Sequence, residues 1–336
     1  MNDIQSKIFG MVFGHALGDA LGAPSEFPPI QPYNGKLEFT MKRIAKPFYN
    51  IPEKNLVIGQ ITDDTEMAMT LSRIIKHGYT KQNAVMEYMS WANSGIPFLG
   101  KNTINLFKGI KTYKGYEKRY EKFANPNNQS NGPLMRAYPL VVAKEFIQED
   151  VYITNPNSMC YEIVKIYIDA IQDALDNKSK NTILLNAIRK ATYKETKEVL
   201  KQVKNNEKRD ISGKNKGWIV HSFYCAFYAL YNFNSYKEGI DGVMFLDEFF
   251  NPEVLKPINK NSRGNTDTDT NCAISGALLG AYYGFFNMCD DSITKKNLQI
   301  LIRVNPNEGD VPRPEKYHNI NLYHISQSLI KMYNSI

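Results

Sequence analysis

The chain has 336 residues but only four cysteines, five histidines and two tryptophans. Cys160, Cys225, Cys272 and Cys289 show no CxxC spacing, so neither a paired-cysteine zinc site nor a dithiol redox motif is available. Reduced thiols in apolar helical surroundings are expected instead. Long apolar runs are also missing. The longest, residues 273–286, has about fourteen members, fewer than the roughly eighteen of a spanning helix. Asp3, Gln5 and Lys7 interrupt any apolar leader, so no signal peptide is expected. Alternating strand patterns are scarce, and there is neither a tandem repeat nor a low-complexity tract. These absences point to a soluble, cytoplasmic protein built from helices.

A hydrophobic content of 43% and an aromatic content of 12% suffice for a sizeable core and argue against disorder. Lys and Arg number 41 against 34 Asp and Glu, a net charge of +7 that is spread along the chain. The densest basic stretch, residues 108–123, reads as a solvated surface segment rather than a nucleic-acid patch. Helical periodicity predicts helices near residues 3–22, 66–76, 81–93, 134–148, 158–176, 181–192 and 218–231. Gly10, Gly14, Gly18 and Gly22 recur every four residues, and Gly276, Gly280 and Gly284 repeat the spacing. Glycine costs about 1 kcal/mol per helix position, so such ladders imply close packing of two central helices. The polar interruptions at 125–133 and 194–216 read as a structured loop and a charged excursion. The expectation is all-α: a single compact multi-helix domain spanning residues 1–336.

Two acidic blocks about two hundred residues apart dominate this background: Thr62-Asp63-Asp64-Thr65 and Asp267-Thr268-Asp269-Thr270. Adjacent carboxylates repel, and folding two such groups together is costly unless cations neutralise them. The ligand set is all oxygen, which suits Mg²⁺ or Mn²⁺ over Zn²⁺. Thr-Asp pairs are also common helix N-caps, and an apolar helical run follows each block. Capping and metal binding are compatible, because a helix start aims these side chains toward one point.

Four strings in order carry a resemblance. They are Gly14-His15-Ala16-Leu17-Gly18-Asp19-Ala20-Leu21-Gly22-Ala23-Pro24-Ser25-Glu26-Phe27, then Thr62-Asp63-Asp64-Thr65-Glu66-Met67, then Asn131-Gly132-Pro133-Leu134-Met135-Arg136, then the helix opened by Asp267-Thr268-Asp269-Thr270. Together, over about residues 6–286, they resemble the ADP-ribosylglycohydrolase family. The resemblance implies an all-α domain with a binuclear Mg²⁺ or Mn²⁺ centre at the base of an ADP-ribose cleft. It implies that Thr62, Asp63 and Asp64 bind one metal and Asp267, Asp269 and Thr270 the other, and that Glu26 lies near the metals. Glu26, Asp63 and Asp267 are the candidates for catalysis. Ser130, Asn131, Gly132 and Arg136 match the loop around the diphosphate and distal ribose, and Trp218 an aromatic position of the cleft. The partner would be an ADP-ribosylated protein or a small ADP-ribose conjugate, arginine linkage favoured. Neither a membrane nor nucleic acid is expected as a partner, and a monomer is expected. Two departures stand out. Asn265-Thr266 replaces a common glycine pair before the last motif, and Asn155 replaces a frequent cleft histidine.

Other functions compete. A prenyl-diphosphate or terpene enzyme uses an acidic DDxx[DE] helix, but Glu66 falls one position early for that spacing. A non-catalytic, crystallin-like member of the same family is the remaining alternative. Loss of metal ligands usually marks such members, and all six matched ligands are present here.

Overall fold

The computed structural model describes residues 1–26, 35–37, 56–97, 99–250 and 266–335, with the side chains of Glu26 and residues 247–250 left undescribed. Two long helices, α1 (Asp3–Glu26) and α13 (Thr268–Asp290), run antiparallel through the centre. Their glycines are the reason they meet backbone to backbone. A β-carbon on Gly10 would lie 2.3 Å from the Gly280 carbonyl oxygen, and one on Gly14 2.4 Å from that of Gly276. Gly18 meets Cys272 and Gly22 meets Thr268 and Asp269 in the same way. Real side chains would hold the helices apart, so the four-residue ladder is a packing device.

Around this pair lie α2 (Asp63–Lys76), α3 (Lys81–Ala92), α4 (Lys101–Phe107), α5 (Tyr113–Phe123), α6 (Gly132–Met135) and α7 (Ile147–Thr154). They continue with α8 (Ser158–Leu175), α9 (Lys180–Lys190), α10 (Lys194–Lys204), α11 (Ile219–Asn232), α12 (Tyr236–Phe250), α14 (Ser292–Arg303) and α15 (Asn321–Tyr333). No strand occurs among the described residues; a lone bridge joins Ser130 to Trp218. The fold is all-α, and among the described residues the main hydrophobic core runs from Ile8 to Ile330, beside a small cluster of Ala23, Leu56 and Val311.

The structure corrects the sequence reading in places. The helix expected over 134–148 is broken into α6, two 3-10 turns (Tyr138–Val142 and Lys144–Phe146) and the start of α7. Pro139 has no N–H to donate and its ring clashes with the preceding turn, while Ala143 leaves helical geometry at φ −154°. Helix α13 spans 23 residues with a break in helical geometry at Gly284 (φ 79°), is longer than its apolar run suggests, and is long and apolar enough to cross a membrane. About two thirds of that apolar stretch (67%) is buried inside the protein, so it is a core helix. The basic stretch forms α5, exposed apart from Tyr116 and a few half-covered rings. Cys160, Cys225 and Cys272 are buried and form no disulfide among the described residues.

Candidate metal centre and ligand cleft

The ladder places the acids. Asp19 follows Gly18 on α1, and Asp269 sits in the first turn of α13 where Gly22 presses against its backbone. Helix α2 starts beside them. Asp19, Asp64 and Asp269 each present a carboxylate oxygen within 4.8 Å of the others, and all three are buried. Asp63 and Asp267 flank this trio with part of their surface open.

Thr62 and Asp267 stand at the N-cap positions of α2 and α13, yet neither side chain caps its helix. The Thr62 hydroxyl donates to Asp19 Oδ1 at 2.7 Å instead. Asp19 Oδ2 accepts from the backbone N–H groups of Thr62 and Thr65, at 2.9 and 3.2 Å. An acid from α1 thus satisfies the orphan donors of α2, and the local acids are released from capping. Asp64 uses the freedom: its Oδ1 is buried without a hydrogen-bond partner. A buried carboxylate oxygen left so is costly unless a cation completes it.

The electrostatics agree. Burial, then the charge of Asp269, raises Asp63 and Asp64 well above the usual carboxylate range. The same two causes push Asp19 up to about 6, against the pull of its Thr62 and Thr65 hydrogen bonds. Asp267 is also raised, by burial and Asp269, with Lys216 and Asn131 acting against the shift. Asp63 and Asp267 are partly open, yet burial remains the largest cause for both. Positive charge would relieve all four together. The donors are carboxylates and hydroxyls only, the set expected for a hard divalent cation.

Beside the acids lies the loop of Ser130, Asn131 and Gly132. The Asn131 N–H donates to the Gly217 carbonyl, and the Ile219 N–H to that of Gln129, which draws Trp218 alongside Ser130. Asn131 Nδ2 donates to Asp267 Oδ2 at 2.7 Å, tying loop to acid cluster. A β-carbon on Gly132 would meet nothing within 4 Å, so the loop backbone there is open to an approaching group. Trp218 is half-buried; its indole N–H donates to Gln129 Oε1 at 2.9 Å, and the Arg209 guanidinium lies 5.6 Å from its ring centroid.

Two expected ligand contacts are placed otherwise. Arg136 is only 1% exposed and pairs with Asp150, Nε to Oδ2 at 2.9 Å. Its other nitrogens donate to Gly132 O, Asp150 O and Thr154 Oγ1, so it braces the loop from behind. Asn155 is fully buried and donates to Ser130 Oγ at 3.0 Å, again supporting the loop. Glu66, inside the acidic motif, serves structure as well: Arg313 Nε and Nη2 clasp its two oxygens at 2.7 and 2.8 Å, and the Trp91 indole donates to it. Glu26 closes α1, but its side chain lies outside the described residues, as does Asn265. Asp19 was missed as a site residue, although it stands in the quoted Gly18-Asp19 string. Its glycine-flanked position in a tightly packed helix was the signal.

Residues 1–295 match the family model of the ADP-ribosylglycohydrolases. A protein of Acanthamoeba polyphaga mimivirus that carries the provisional name ADP-ribosyl glycohydrolase L543 is 26% identical over 312 residues, 84% of this chain and 88% of its own. The ADP-ribosyl-[dinitrogen reductase] glycohydrolase of Rhodospirillum rubrum is 24% identical over 314 residues, 88% of this chain and 92% of its own. A solved structure described as an ADP-ribosylglycohydrolase-related protein complex shares the fold, with a TM-score of 0.66, 20% identity and 99% of both chains covered. The chain therefore belongs to the ADP-ribosylglycohydrolase family and is, by that membership, a glycohydrolase.

Proposed function

We propose that this protein hydrolyses the glycosidic bond between ADP-ribose and a modified protein side chain or small ADP-ribose conjugate, using two divalent cations, Mg²⁺ or Mn²⁺. The observation that carries the reading is the Asn131–Asp267 hydrogen bond, which sets the open loop at Gly132 directly against the acid cluster. A ligand whose diphosphate lay along that loop would have its reacting ribose over the carboxylates.

Thr62, Asp63 and Asp64 would hold one cation, and Asp267, Asp269 and Thr270 the other. The unpartnered Asp64 Oδ1 and the mutually raised carboxyls fit that occupancy. When bound, such cations polarise substrate oxygens and make a water more acidic. The chain supplies the rest. Asp19 holds Thr62 and Thr65 in place through four hydrogen bonds. Asn131 and Thr270 orient Asp267, at 2.7 and 3.4 Å. Asp63 is partly open and crowded by like charge, and its carboxylate would take the proton from the attacking water. Glu26 is the second carboxylate to test for that duty. The side chain leaves the anomeric carbon with the bonding electron pair and takes up a proton, balancing the one received by Asp63, and its departure passes through an oxocarbenium-like state.

Arginine-linked ADP-ribose is the preferred substrate in this reading, as the family resemblance implies. The protein would act as a cytoplasmic monomer, with neither a membrane nor nucleic acid as partner. The test is a hydrolysis panel of arginine- and serine-linked mono-ADP-ribosylated peptides and O-acetyl-ADP-ribose, with Mg²⁺, Mn²⁺ or chelator, reading free ADP-ribose. Release from no substrate under any metal condition would overturn the proposal; release that persists in chelator would overturn its metal part.

A further inference from the structure

Ser222 lies on α11, fully buried behind the loop. Its hydroxyl has one proton to give, and Asn271 Oδ1 accepts it at 2.7 Å. The hydroxyl oxygen therefore accepts from Asn131 Nδ2, at 3.0 Å. The second Asn131 amide hydrogen goes to Asp267 Oδ2, so both are committed. The contact to Asp267 fixes which way the Asn131 amide faces, because a carboxylate accepts and the atom turned to it is the nitrogen. The chain Asp267–Asn131–Ser222–Asn271 starts at a cluster acid, crosses the ligand loop, and returns to the first turn of the helix that carries Asp269 and Thr270.

We propose that Ser222 is a positioning residue that couples occupancy of the metal centre to capture of ADP-ribose by the loop. It rests on the ADP-ribose reading above. With Ser222 in place, the Asn131 side chain has one orientation, and any cation that draws on Asp267 also sets the backbone at Gly132. In the other direction, a ligand that settles the loop holds Asp267 toward the cluster. Without the hydroxyl, a buried amide hydrogen loses its acceptor and the side chain is free to turn away from Asp267.

A second tie reaches the far end of α6. Met135 O accepts from His15 Nε2 at 2.8 Å, which ties that end to α1 one turn before Asp19. Gly132–Met135 is thus held at both ends, at Asp267 through Asn131 and at α1 through His15, and removal of Ser222 loosens the first.

The experiment measures ADP-ribose affinity by calorimetry with saturating Mn²⁺ and in chelator, and Mn²⁺ affinity alone by electron paramagnetic resonance. Mn²⁺ should tighten ADP-ribose binding to the wild type, on the order of 5–150-fold as for coupled sites generally. In Ser222→Ala that gain should shrink at least about fivefold, with Mn²⁺ affinity alone changed less than about threefold. Ser222→Thr, which keeps the hydroxyl, should retain the gain. If Ser222→Ala does not fold, Asn271→Leu removes the acceptor of the serine proton and should give the same loss. A wild type that fails to bind ADP-ribose would overturn the ADP-ribose reading and this proposal together. A folded Ser222→Ala or Asn271→Leu with the full metal-dependent gain, or a wild type that binds ADP-ribose without any such gain, would overturn this proposal alone.

Discussion

A β-carbon on Gly18 would lie 2.1 Å from the carbonyl oxygen of Cys272, at the level where α1 and α13 bring their acids together. Asp19 is the next residue on one helix, and Asp269 stands one turn before Cys272 on the other. Packing and chemistry therefore share one contact. Gly18→Ala should force the helices apart, lower stability by about 1–3 kcal/mol as overpacked cores do, and remove the rise in Tm given by Mn²⁺. Gly132→Ala, which meets open space, should melt as the wild type does. Differential scanning calorimetry of both variants with and without Mn²⁺ checks this; equal behaviour of the two would contradict it.

Asp63→Ala and Asp269→Ala should each reduce turnover to below about 1% of the wild-type rate, since cation-supplied charge stabilisation of several kcal/mol corresponds to hundred-fold or greater effects. Each should also lose the Mn²⁺-dependent rise in Tm. Near-native turnover in either purified variant would remove that residue from the site.

In the metal-free protein the raised carboxyls make stability depend on pH in a definite direction. The folded-state pKa of Asp64 lies well above the ordinary value of 3.8, chiefly because of burial and the charge of Asp269. Below that value both folded and unfolded chains are protonated at this position, and its contribution is fully present. As pH rises, the unfolded chain ionises while the folded one resists, and stability is lost until the folded pKa is passed. Asparagine does not titrate. The Tm of Asp64→Asn minus that of the wild type should therefore grow between pH 4 and pH 8 in chelator. His15 and His221, both pushed down to about 4 chiefly by burial, oppose this trend in each protein and cancel in the difference. Saturating Mn²⁺ should reverse the order. A difference flat with pH would show that Asp64 is not held in a crowded state.

Gly132→Val should weaken ADP-ribose binding far more than Mn²⁺ binding, because the branched side chain would fill the open space in front of the loop backbone. Trp218→Ala should cost about 1–3 kcal/mol of ADP-ribose affinity if the ring receives the ligand. Calorimetric titration separates the roles: unchanged affinity in a folded Trp218→Ala protein would leave the ring as a support for Gln129 and Arg209.

Local patterns determined much of this protein. The apolar spacing of residues 158–175 and the ladder of Gly10, Gly14, Gly18 and Gly22 are properties of a single helix face, so the helices and their close central pair were legible from the chain. The two acidic blocks were legible for the same reason, since their crowding is a feature of neighbouring residues. Tertiary structure alone decided which lone pairs and hydrogens were left over. Asp19 caps a helix begun 44 residues later, which leaves Asp64 Oδ1 without a partner. Arg136 turns inward because Asp150 is buried behind it, and Asn155 turns to Ser130 rather than to the cleft. Ser222 carried no signal, because its value lies in a hydroxyl between two amides 91 and 49 residues away. Periodicity and capping act over one or two turns. The direction of a hydrogen bond in a buried site depends on every acceptor already filled, and that is settled only when distant helices pack.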